Sequence, residues 1–208
     1  MTISKTRIFN MALNELGVSA PIANAEAQDD NRAIILRNFY ETARDEVLKA
    51  FDWNFADSYR ILTPSTEKCL DPNYRYIYDY PNDCINAREV FEQVENADHT
   101  IEQTGVVLKK QFKISSNTIG QKVILANVSP AILRYTKKIE KENFFDPEFS
   151  STLSLYLAAL TGKAITGSNE KANEALKKYW DKQKLGIVAN ATEGQEVDED
   201  NSTYLDVR

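Results

Sequence analysis

The feature that most constrains the fold of this chain is a change of residue pattern near Phe55 that is reversed near Phe145. Outside these two points, apolar residues recur every three or four positions among good helix formers, which indicates amphipathic helices. Between them, β-branched and aromatic residues are interrupted by prolines and asparagines, which is typical of strands and turns. The pattern therefore predicts helices at both ends of the chain and strands in its middle.

Two helices are predicted in the N-terminal part. The first covers residues 4–16 and ends at Gly17, because glycine readily adopts the left-handed conformation that follows many helices. The second is capped by Asp29 or Asp30 and runs to about Phe51. The apolar stripes consist of Ile8, Phe9, Ala12, Leu13 and Leu16 in the first helix and Leu36, Tyr40, Ala43, Val47 and Ala50 in the second. Each stripe needs a packing partner, since a lone amphipathic helix is marginal in water.

Two further helices are predicted in the C-terminal part. Asp146 is placed to cap the first of them, Pro147 suits its first turn, and Gly167 ends it. Ser168 is placed to cap the last helix, which is expected to stop near Gly186. Their apolar faces consist of Phe149, Leu153, Tyr156, Leu157 and Leu160, followed by Ala172, Ala175, Leu176, Tyr179 and Trp180. We expect all four helices to bury these faces against one another.

The middle of the chain contains several candidate strands. Four tyrosines at alternate positions from Tyr74 to Tyr80 predict a strand with four phenol rings on one face, ended by Pro81. Residues 115–121 resemble a hairpin loop. The other candidate strands cover residues 87–94, 104–109, 123–126 and 132–138. Together they predict a small antiparallel sheet or sandwich.

The predicted fold class is α+β, with a helical bundle formed from the N- and C-terminal helices and an inserted antiparallel β lobe. Residues 1–54 and 144–189 are assigned to the bundle, residues 55–143 to the lobe, and residues 190–208 to an acidic, extended C-terminal tail. The tail has few apolar residues before its last five, so we expect it to be disordered in isolation.

The charges are unevenly distributed along the chain. It has 31 acidic and 25 basic residues, and the tail holds six of the acidic residues but only one arginine, so the body is nearly neutral. Tight non-specific binding of nucleic acid needs clustered lysine and arginine, and this composition argues against it. The strongest basic clusters are the lysines at 109, 110 and 113 and the segment 134–141, where neighbouring glutamates partly cancel the charge. We interpret both clusters as solvated strand faces.

The sequence contains no recognisable set of catalytic, cofactor-binding or metal-binding residues. None of the seven glycines lies in a phosphate-binding motif, and the single histidine, His99, lies in a polar stretch typical of a loop. Cys69 and Cys84 lack the spacing of a zinc site or a disulfide framework. Capping and turn formation explain the acidic pairs better than metal binding does; these pairs are Asp29 with Asp30 and Asp79 with Asp83. We therefore predict no enzyme activity, no cofactor and no metal.

The cellular location can also be predicted from the sequence. The N-terminal segment mixes polar and apolar residues and lacks the apolar core of a signal peptide. No apolar run is long enough to cross a bilayer, and the low cysteine content fits a reducing compartment. We expect the protein to be made and kept in the cytoplasm unless it leaves as part of a particle, without contact with a membrane.

The tyrosine-rich strand is a candidate binding surface. Such a row could stack on the bases of single-stranded nucleic acid, but Arg75 is the only basic residue among these positions. Tyrosine is also common in cross-strand packing and in subunit contacts. We therefore predict that Tyr74, Tyr76 and Tyr78 lie in the core or at an interface with another subunit or with the tail of a larger assembly.

Three parts of the sequence, taken in order, resemble the head-to-tail adaptors of podoviruses, the tail tubular protein A family. They are residues 9–18, residues 40–56 with 76–85, and residues 133–168. The matching positions are Gly17, Tyr40, Arg44, Trp53, Asn54, Phe55, Ala56, Tyr80, Pro81, Asp83, Phe145, Asp146, Pro147, Thr166 and Gly167. The residues between Val90 and Ser129 and the acidic tail show little similarity to the family. The three similar segments, in the same order as in the family, cover most of the rest of the chain.

The resemblance implies a structural virion protein without an active site. Proteins of this family form a ring, expected here to be a dodecamer, between the portal protein and the tail nozzle or tail tube. Double-stranded DNA passes through the ring without specific binding. We accordingly expect this bacteriophage protein to assemble in the host cytoplasm and to reside in the virion at the portal vertex. The tail ends in Tyr204, Leu205, Asp206, Val207 and Arg208, which we predict to dock on the portal.

An alternative hypothesis involves no ring. In it, the chain is a small helical regulatory or scaffold protein that binds one partner through its tyrosine-rich lobe. The two hypotheses differ in the size of the assembly, because only an adaptor forms a closed ring on a portal.

Overall fold

The computed structural model of the protein describes residues 3–92 and 109–193, with side chains described up to residue 184. The α+β fold class is confirmed, because helices from both ends of the chain pack into one bundle and the middle of the chain forms antiparallel sheets.

Both N-terminal helices begin at capping residues, and of the two caps predicted for the second helix the structure selects Asp30. Helix α1 spans Lys5–Glu15, and the Ser4 hydroxyl accepts a hydrogen bond from the Arg7 backbone. It is followed by Gly17 with a φ of 72°. Helix α2 spans Asn31–Ala50 and is capped by Asp30, whose carboxylate accepts from the Arg32 backbone N–H at 2.9 Å. Local capping chemistry thus determines where both helices start.

The C-terminal helices form an antiparallel hairpin. Helix α3 spans Pro147–Thr166 and ends at Gly167, which has a φ of 71°. Helix α4 spans Asn169–Glu193, and Ser168 accepts a hydrogen bond from its first turn. The prediction that this helix stops near Gly186 is wrong, because the helix continues through that residue for about two turns. One glycine inside a helix costs only about 1 kcal/mol relative to alanine, which the helix formers on both sides tolerate.

Helix α3 is the central helix of the bundle and packs against the other three. Gly162 of α3 lies where the chain at the end of α1 and the start of α4 both come close to α3. A Cβ at this position would be 2.9 Å from the Leu16 side chain and 3.0 Å from the Ala172 backbone. The bundle core is continuous between the two ends of the chain; its largest fully buried members include Phe9, Leu13, Leu36, Tyr40 and Phe149.

The described residues of the lobe form seven strands in two antiparallel sheets. In chain order the strands are β1 (Asp57–Ile61), β2 (Tyr76–Asp79), β3 (Cys84–Glu92), β4 (Lys109–Lys110), β5 (Phe112–Ser116), β6 (Lys122–Ala126) and β7 (Ala131–Lys137). The first sheet has the order β1-β7-β3-β4 and the second has the order β2-β6-β5. Short 3₁₀ helices at Asn54–Ala56 and Glu142–Phe144 connect the lobe to the bundle.

The chain passes from one sheet to the other at two corners of the lobe. Strands β4 and β5 are separated by a single residue, and the segment after β1 pairs with β2 through a hydrogen bond from the Ser65 N–H to the Ile77 carbonyl. Between the sheets lies a second apolar core, formed by Leu62, Tyr78, Val90, Ile124, Ala126, Val128, Ala131, Leu133 and Tyr135. The lobe is therefore a small sandwich with bent edge strands.

Most of the predicted strands exist, with shifted boundaries. Residues 117–121 connect β5 to β6 as a hairpin, and the strands predicted at 123–126 and 132–138 exist with boundaries shifted by one residue. The strand predicted at 87–94 begins earlier, at Cys84. Most of the one predicted at 104–109 lies outside the described residues. The tyrosine-rich strand is shorter than predicted, because only Tyr76 and Tyr78 of its four tyrosines belong to β2.

Candidate functional site: interaction surfaces

Charged side chains join the lobe to the end of α2. Arg88 on β3 donates to the Phe51 carbonyl at 2.6 Å and to the Thr136 hydroxyl at 2.9 Å. Arg134 on β7 pairs with Asp57 at 3.0 Å and with Asp52 at 3.3 Å. Because these bonds connect two elements of the lobe to the chain just after α2, they fix the lobe on the bundle.

The residues that carry the family resemblance have structural roles in the bundle. Tyr40 is buried and its hydroxyl donates to Glu142 at 3.0 Å, while burial and this carboxylate raise the pKa of the phenol. Arg44 is 4% exposed and pairs with Asp45 at 2.8 Å. The indole of Trp53 donates to the Val47 carbonyl at 2.9 Å. These positions support the fold.

The turn between β2 and β3 also has a structural role. Asp83 accepts a hydrogen bond from the Tyr135 hydroxyl at 3.3 Å and pairs with Arg60 at 3.3 Å. Its backbone carbonyl accepts from the Lys138 N–H at 2.7 Å. Pro81 is buried. The turn interpretation of Asp79 and Asp83 therefore fits the geometry, and no group of three metal-ligating side chains occurs within residues 3–92 and 109–193.

The tyrosine row divides between the core and the surface. Tyr78 is 1% exposed and its hydroxyl donates to the Val128 carbonyl at 2.6 Å. It therefore cannot contact a neighbouring subunit, and the interface role predicted for it is corrected to a role in the lobe core. Tyr76 is 42% exposed and Tyr74 is partly exposed, so both remain available to a partner. Both tyrosines belong to the edge strand β2, but Tyr76 is its first residue, whereas Tyr78 lies within the apolar core between the two sheets.

The predicted basic cluster is paired with carboxylates. Lys109 contacts Glu89 at 2.6 Å, Lys110 contacts Glu92 at 3.0 Å, and the third lysine, Lys113, contacts Asp71 at 2.9 Å. These pairs reduce the local positive potential, so the cluster is a poor binding surface for phosphate.

A polar cleft with a volume of about 520 Å³ lies at a corner of the lobe. Arg60 and Lys122 contribute its positive charges. The first is paired with Asp83, and the ammonium of the second lies 5.4 Å from the centre of the Tyr80 ring. A general base, a nucleophile and an orienting group do not come together among the residues that line it, so we assign it no chemistry.

The first exposed apolar surface of the lobe is on β1. Tyr59 is 60% exposed and Ile61 is 54% exposed, and both project from the side of the sheet that faces away from the lobe core. The Tyr59 ring stacks against Phe91 of β3 with 6.4 Å between ring centroids. We call Tyr59, Ile61, Phe91 and Ile132 the β1 surface. The sequence did not single it out, since a strand of five residues reading DSYRI carries no strong apolar pattern.

The bundle exposes a different apolar surface. Trp180 on α4 is 53% exposed and packs its edge on Tyr179, which stacks in turn against Tyr156 of α3. The Tyr156 hydroxyl bonds to Glu46 of α2, and burial together with this carboxylate raises the pKa of Tyr156 to about 12. A half-exposed tryptophan held by its neighbours is typical of an interface anchor. We call Trp180 with Tyr179 and Tyr156 the α4 surface.

Two predictions lie on other parts of the chain. The proposed portal-docking residues, Tyr204, Leu205, Asp206, Val207 and Arg208, and the loop histidine, His99, lie outside the described residues.

Comparison of the sequence with protein-family models finds no match, and a search of curated proteins finds none. Among the described helices, none has the length and apolar character needed to cross a bilayer.

Proposed function

We propose that this protein is a structural virion protein, a head-to-tail adaptor that forms a ring between the portal and the tail nozzle. The observation that carries the proposal is that exposed apolar side chains occur on two different parts of the subunit, the lobe and the bundle, which are joined by hydrogen bonds and ion pairs. The β1 surface belongs to the lobe, and the α4 surface belongs to the bundle.

Two different surfaces suit a ring because a cyclic assembly of more than two subunits uses heterologous contacts. One face of each subunit packs against another face of the next. The two surfaces are also held at a fixed relative position, since Arg88 and Arg134 tie the lobe to the end of α2. A ring of many identical contacts needs such rigidity, because small errors in angle accumulate around the ring.

The charge distribution fits a channel for DNA. Most of the described lysines and arginines of the lobe are paired with carboxylates, including Arg60, Lys113 and Arg134. A channel wall with balanced charges does not retain the phosphate backbone of passing DNA. The proposal accordingly includes double-stranded DNA as a passenger that is not specifically bound.

The partners in this proposal are other copies of the chain, the portal protein and the nozzle or tail tube. We propose that residues 204–208, which follow an acidic spacer in the chain, dock on the portal through their apolar side chains. Each subunit of the ring would contribute one such contact, so the contacts add up. Deletion of residues 202–208 should then weaken binding of the ring to the portal, as measured by co-sedimentation. Unchanged binding would remove the tail from the portal contact and leave the ring to be tested separately.

Light scattering tests the proposal as a whole. The purified protein should be a single subunit or a small species alone and should convert, on the portal encoded in the same genome, to a ring close to twelve times the 23.6 kDa subunit mass. A complex with one copy per partner would favour the alternative, a regulatory protein acting through the tyrosine-rich lobe. That alternative is weakened by the burial of Tyr78.

A further inference from the structure

The outer edge of β1 presents backbone hydrogen-bonding groups to its surroundings. Among the described residues, β1 is an edge strand of its sheet and pairs with β7 alone. The Leu62 N–H donates to the Ala131 carbonyl at 2.8 Å, and hydrogen-bonded positions alternate along an antiparallel ladder. Arg60 therefore bonds to β7, whereas the N–H and carbonyl groups of Tyr59 and Ile61 point away from the sheet.

The open part of this edge is limited at both ends by bonds within the chain. Before it, the Asp57 N–H donates to the Asn54 carbonyl. After it, the Thr63 carbonyl accepts a hydrogen bond from the Asp79 N–H at 3.0 Å, where the chain turns to the second sheet. Another strand can therefore pair with residues 59–61, and such a partner needs outward groups at two positions.

The side chains along this edge differ between the two faces of the sheet. Tyr59 and Ile61, on the outer face, are 60% and 54% exposed and belong to the β1 surface. Arg60 lies on the opposite face, where its guanidinium is 3.3 Å from the Asp83 carboxylate. Exposed edge strands with apolar side chains template the addition of other strands. The edge is consequently suited to a strand with apolar residues at alternate positions.

We propose that the edge pairs with β1 of a second copy of this chain, antiparallel, with the two-fold axis at Arg60. Tyr59 then lies opposite the partner's Ile61, and Ile61 lies opposite the partner's Tyr59. Because the backbone groups of both residues point outward, each of these pairs exchanges two hydrogen bonds across the contact. An aromatic ring opposite a β-branched side chain is also a favourable cross-strand pair.

The charges and the free backbone groups select this register. A two-fold axis at Tyr59 would place Ile61 opposite the partner's Asp57, where a carboxylate meets an apolar side chain and the Asp57 N–H is already used. With the axis at Arg60, two guanidiniums face each other. Each keeps the Asp83 carboxylate of its own chain at 3.3 Å, so two positive and two negative groups meet at the axis.

This inference concerns the free subunit and does not rest on the proposed function. A two-fold pair is isologous, whereas a ring with cyclic symmetry uses heterologous contacts, so the pair is a separate state of the chain. Pairing covers an edge that otherwise favours aggregation. Experiments on the pair need no portal, so their failure leaves the ring proposal untouched, and failure of the ring on the portal leaves the pair untouched.

Sedimentation equilibrium of the full chain tests the pairing. The wild type should convert reversibly from single subunits to pairs as its concentration rises. Ile61→Pro should raise the dissociation constant at least about tenfold, because an outward N–H and an apolar contact are lost on both sides. Proline at this position spares the bonds to β7, so circular dichroism should show an intact fold.

Trp180→Ala, on the bundle, is the control for the other apolar surface and should pair as the wild type does. A wild type that stays a single subunit at millimolar concentration would overturn the proposal. So would a pair that survives Ile61→Pro or that is lost with Trp180→Ala.

Mixing charge variants tests the register, with native mass spectrometry as the readout. Arg60→Glu should pair at least about tenfold more weakly than the wild type, because like charges then face each other beside two Asp83 carboxylates. Mixed with the wild type, it should form a mixed pair at least about tenfold tighter than its own pair, since residue 60 then faces the opposite charge. Arg75→Glu, exposed elsewhere on the lobe, should show neither effect. Absence of a preference for the mixed pair would overturn the assigned contact.

Discussion

Trp53 and Trp180 are the two tryptophans of the chain, and they occupy opposite environments. Trp53 is 8% exposed and contacts the rings of Phe51 and Phe149. Its indole N–H donates a hydrogen bond to the Val47 carbonyl. Trp180 is 53% exposed and its main ring contact is with the adjacent Tyr179. The first side chain is therefore part of the bundle core, and the second is available to a partner.

Replacing each tryptophan by phenylalanine should separate these roles. Trp53→Phe should lower the free energy of unfolding by about 1–3 kcal/mol, because the buried Val47 carbonyl loses its donor. Trp180→Phe should change it by less than about 0.5 kcal/mol, as expected for an exposed site. Urea unfolding followed by circular dichroism measures both. Equal losses in the two variants would contradict the assignment of Trp180 to the surface.

Asp30 should make the stability of the protein depend on pH. The guanidinium of Arg32, which bonds to both carboxylate oxygens, lowers the pKa of Asp30 below its ordinary value. A carboxyl whose pKa is lower in the folded state stabilises the fold above its unfolded pKa, and this contribution is lost as the pH falls through the folded pKa. Asp30→Asn keeps a capping oxygen but cannot ionise.

The stability difference between the wild type and Asp30→Asn should therefore be largest at about pH 6 and should shrink towards about pH 3. Denaturation midpoints at the two pH values provide the measurement. A difference that stays constant with pH would mean that the ion pair with Arg32 contributes nothing beyond the cap.

Single residues could be predicted well where their effect is local. Asp30, Ser168 and Gly167 act through the backbone within a few positions, so capping chemistry was sufficient to propose them as helix ends. Tyr76 and Tyr78 could not be told apart, because both belong to one alternating row. Their burial differs because Tyr78 lies between the two sheets, where its hydroxyl reaches the Val128 carbonyl, while Tyr76 begins the strand at its exposed end.

Two glycines show how the effect of a residue depends on its place in an element. Gly167 ends α3 with a positive φ, where nothing lies within 4 Å of an added Cβ. Gly186 lies inside α4 and does not end it. The same residue type is thus a stop signal in one case and a tolerated weak position in the other, and the sequence alone gives no criterion to separate them.

Alanine substitutions at these glycines should have opposite effects. Gly167→Ala should destabilise the protein by about 1 kcal/mol, because an L-residue is strained at positive φ. Gly186→Ala should stabilise it by up to about 1 kcal/mol, since alanine is the better helix former. Thermal unfolding of the two variants distinguishes the cases. Destabilisation by Gly186→Ala would argue that the helix does end near that residue.

The strands were harder to predict than the helices because their partners are distant in sequence. Strand β6 was located by a short run of apolar residues that are all buried, and β7 by its β-branched and aromatic residues, with burial that largely alternates. Neither pattern could reveal that the chain changes sheet after β1 and between β4 and β5, since such corners depend on the closure of the whole sandwich. Among the described residues β1 is an edge strand of its sheet, a position that had no signal in the sequence.

At the scale of the whole molecule, the position of the lobe depends on a few charge-assisted hydrogen bonds. Arg88→Met should lower the free energy of unfolding by about 1–3 kcal/mol, because the Phe51 carbonyl and the Thr136 hydroxyl lose a shared donor. Arg75→Met is the matched control on the exposed surface of the same lobe and should change it by less than about 0.5 kcal/mol. Similar small effects in both variants would show that the lobe does not need Arg88 to stay on the bundle.

The proposed function joins the ordered sequence resemblance to the placement of the exposed surfaces. The residues that carry the resemblance, such as Tyr40, Arg44 and Asp83, stabilise the bundle and the lobe. The surfaces that would contact neighbours, centred on Tyr59 and Trp180, lie elsewhere.

Electron microscopy of the protein bound to the portal from the same genome is the most direct test of the central claim. End views should show one closed ring of this chain, coaxial with the portal, with an open channel and a dodecameric rotational average. Scattered single copies on the portal, or a complex without a central channel, would contradict the adaptor proposal.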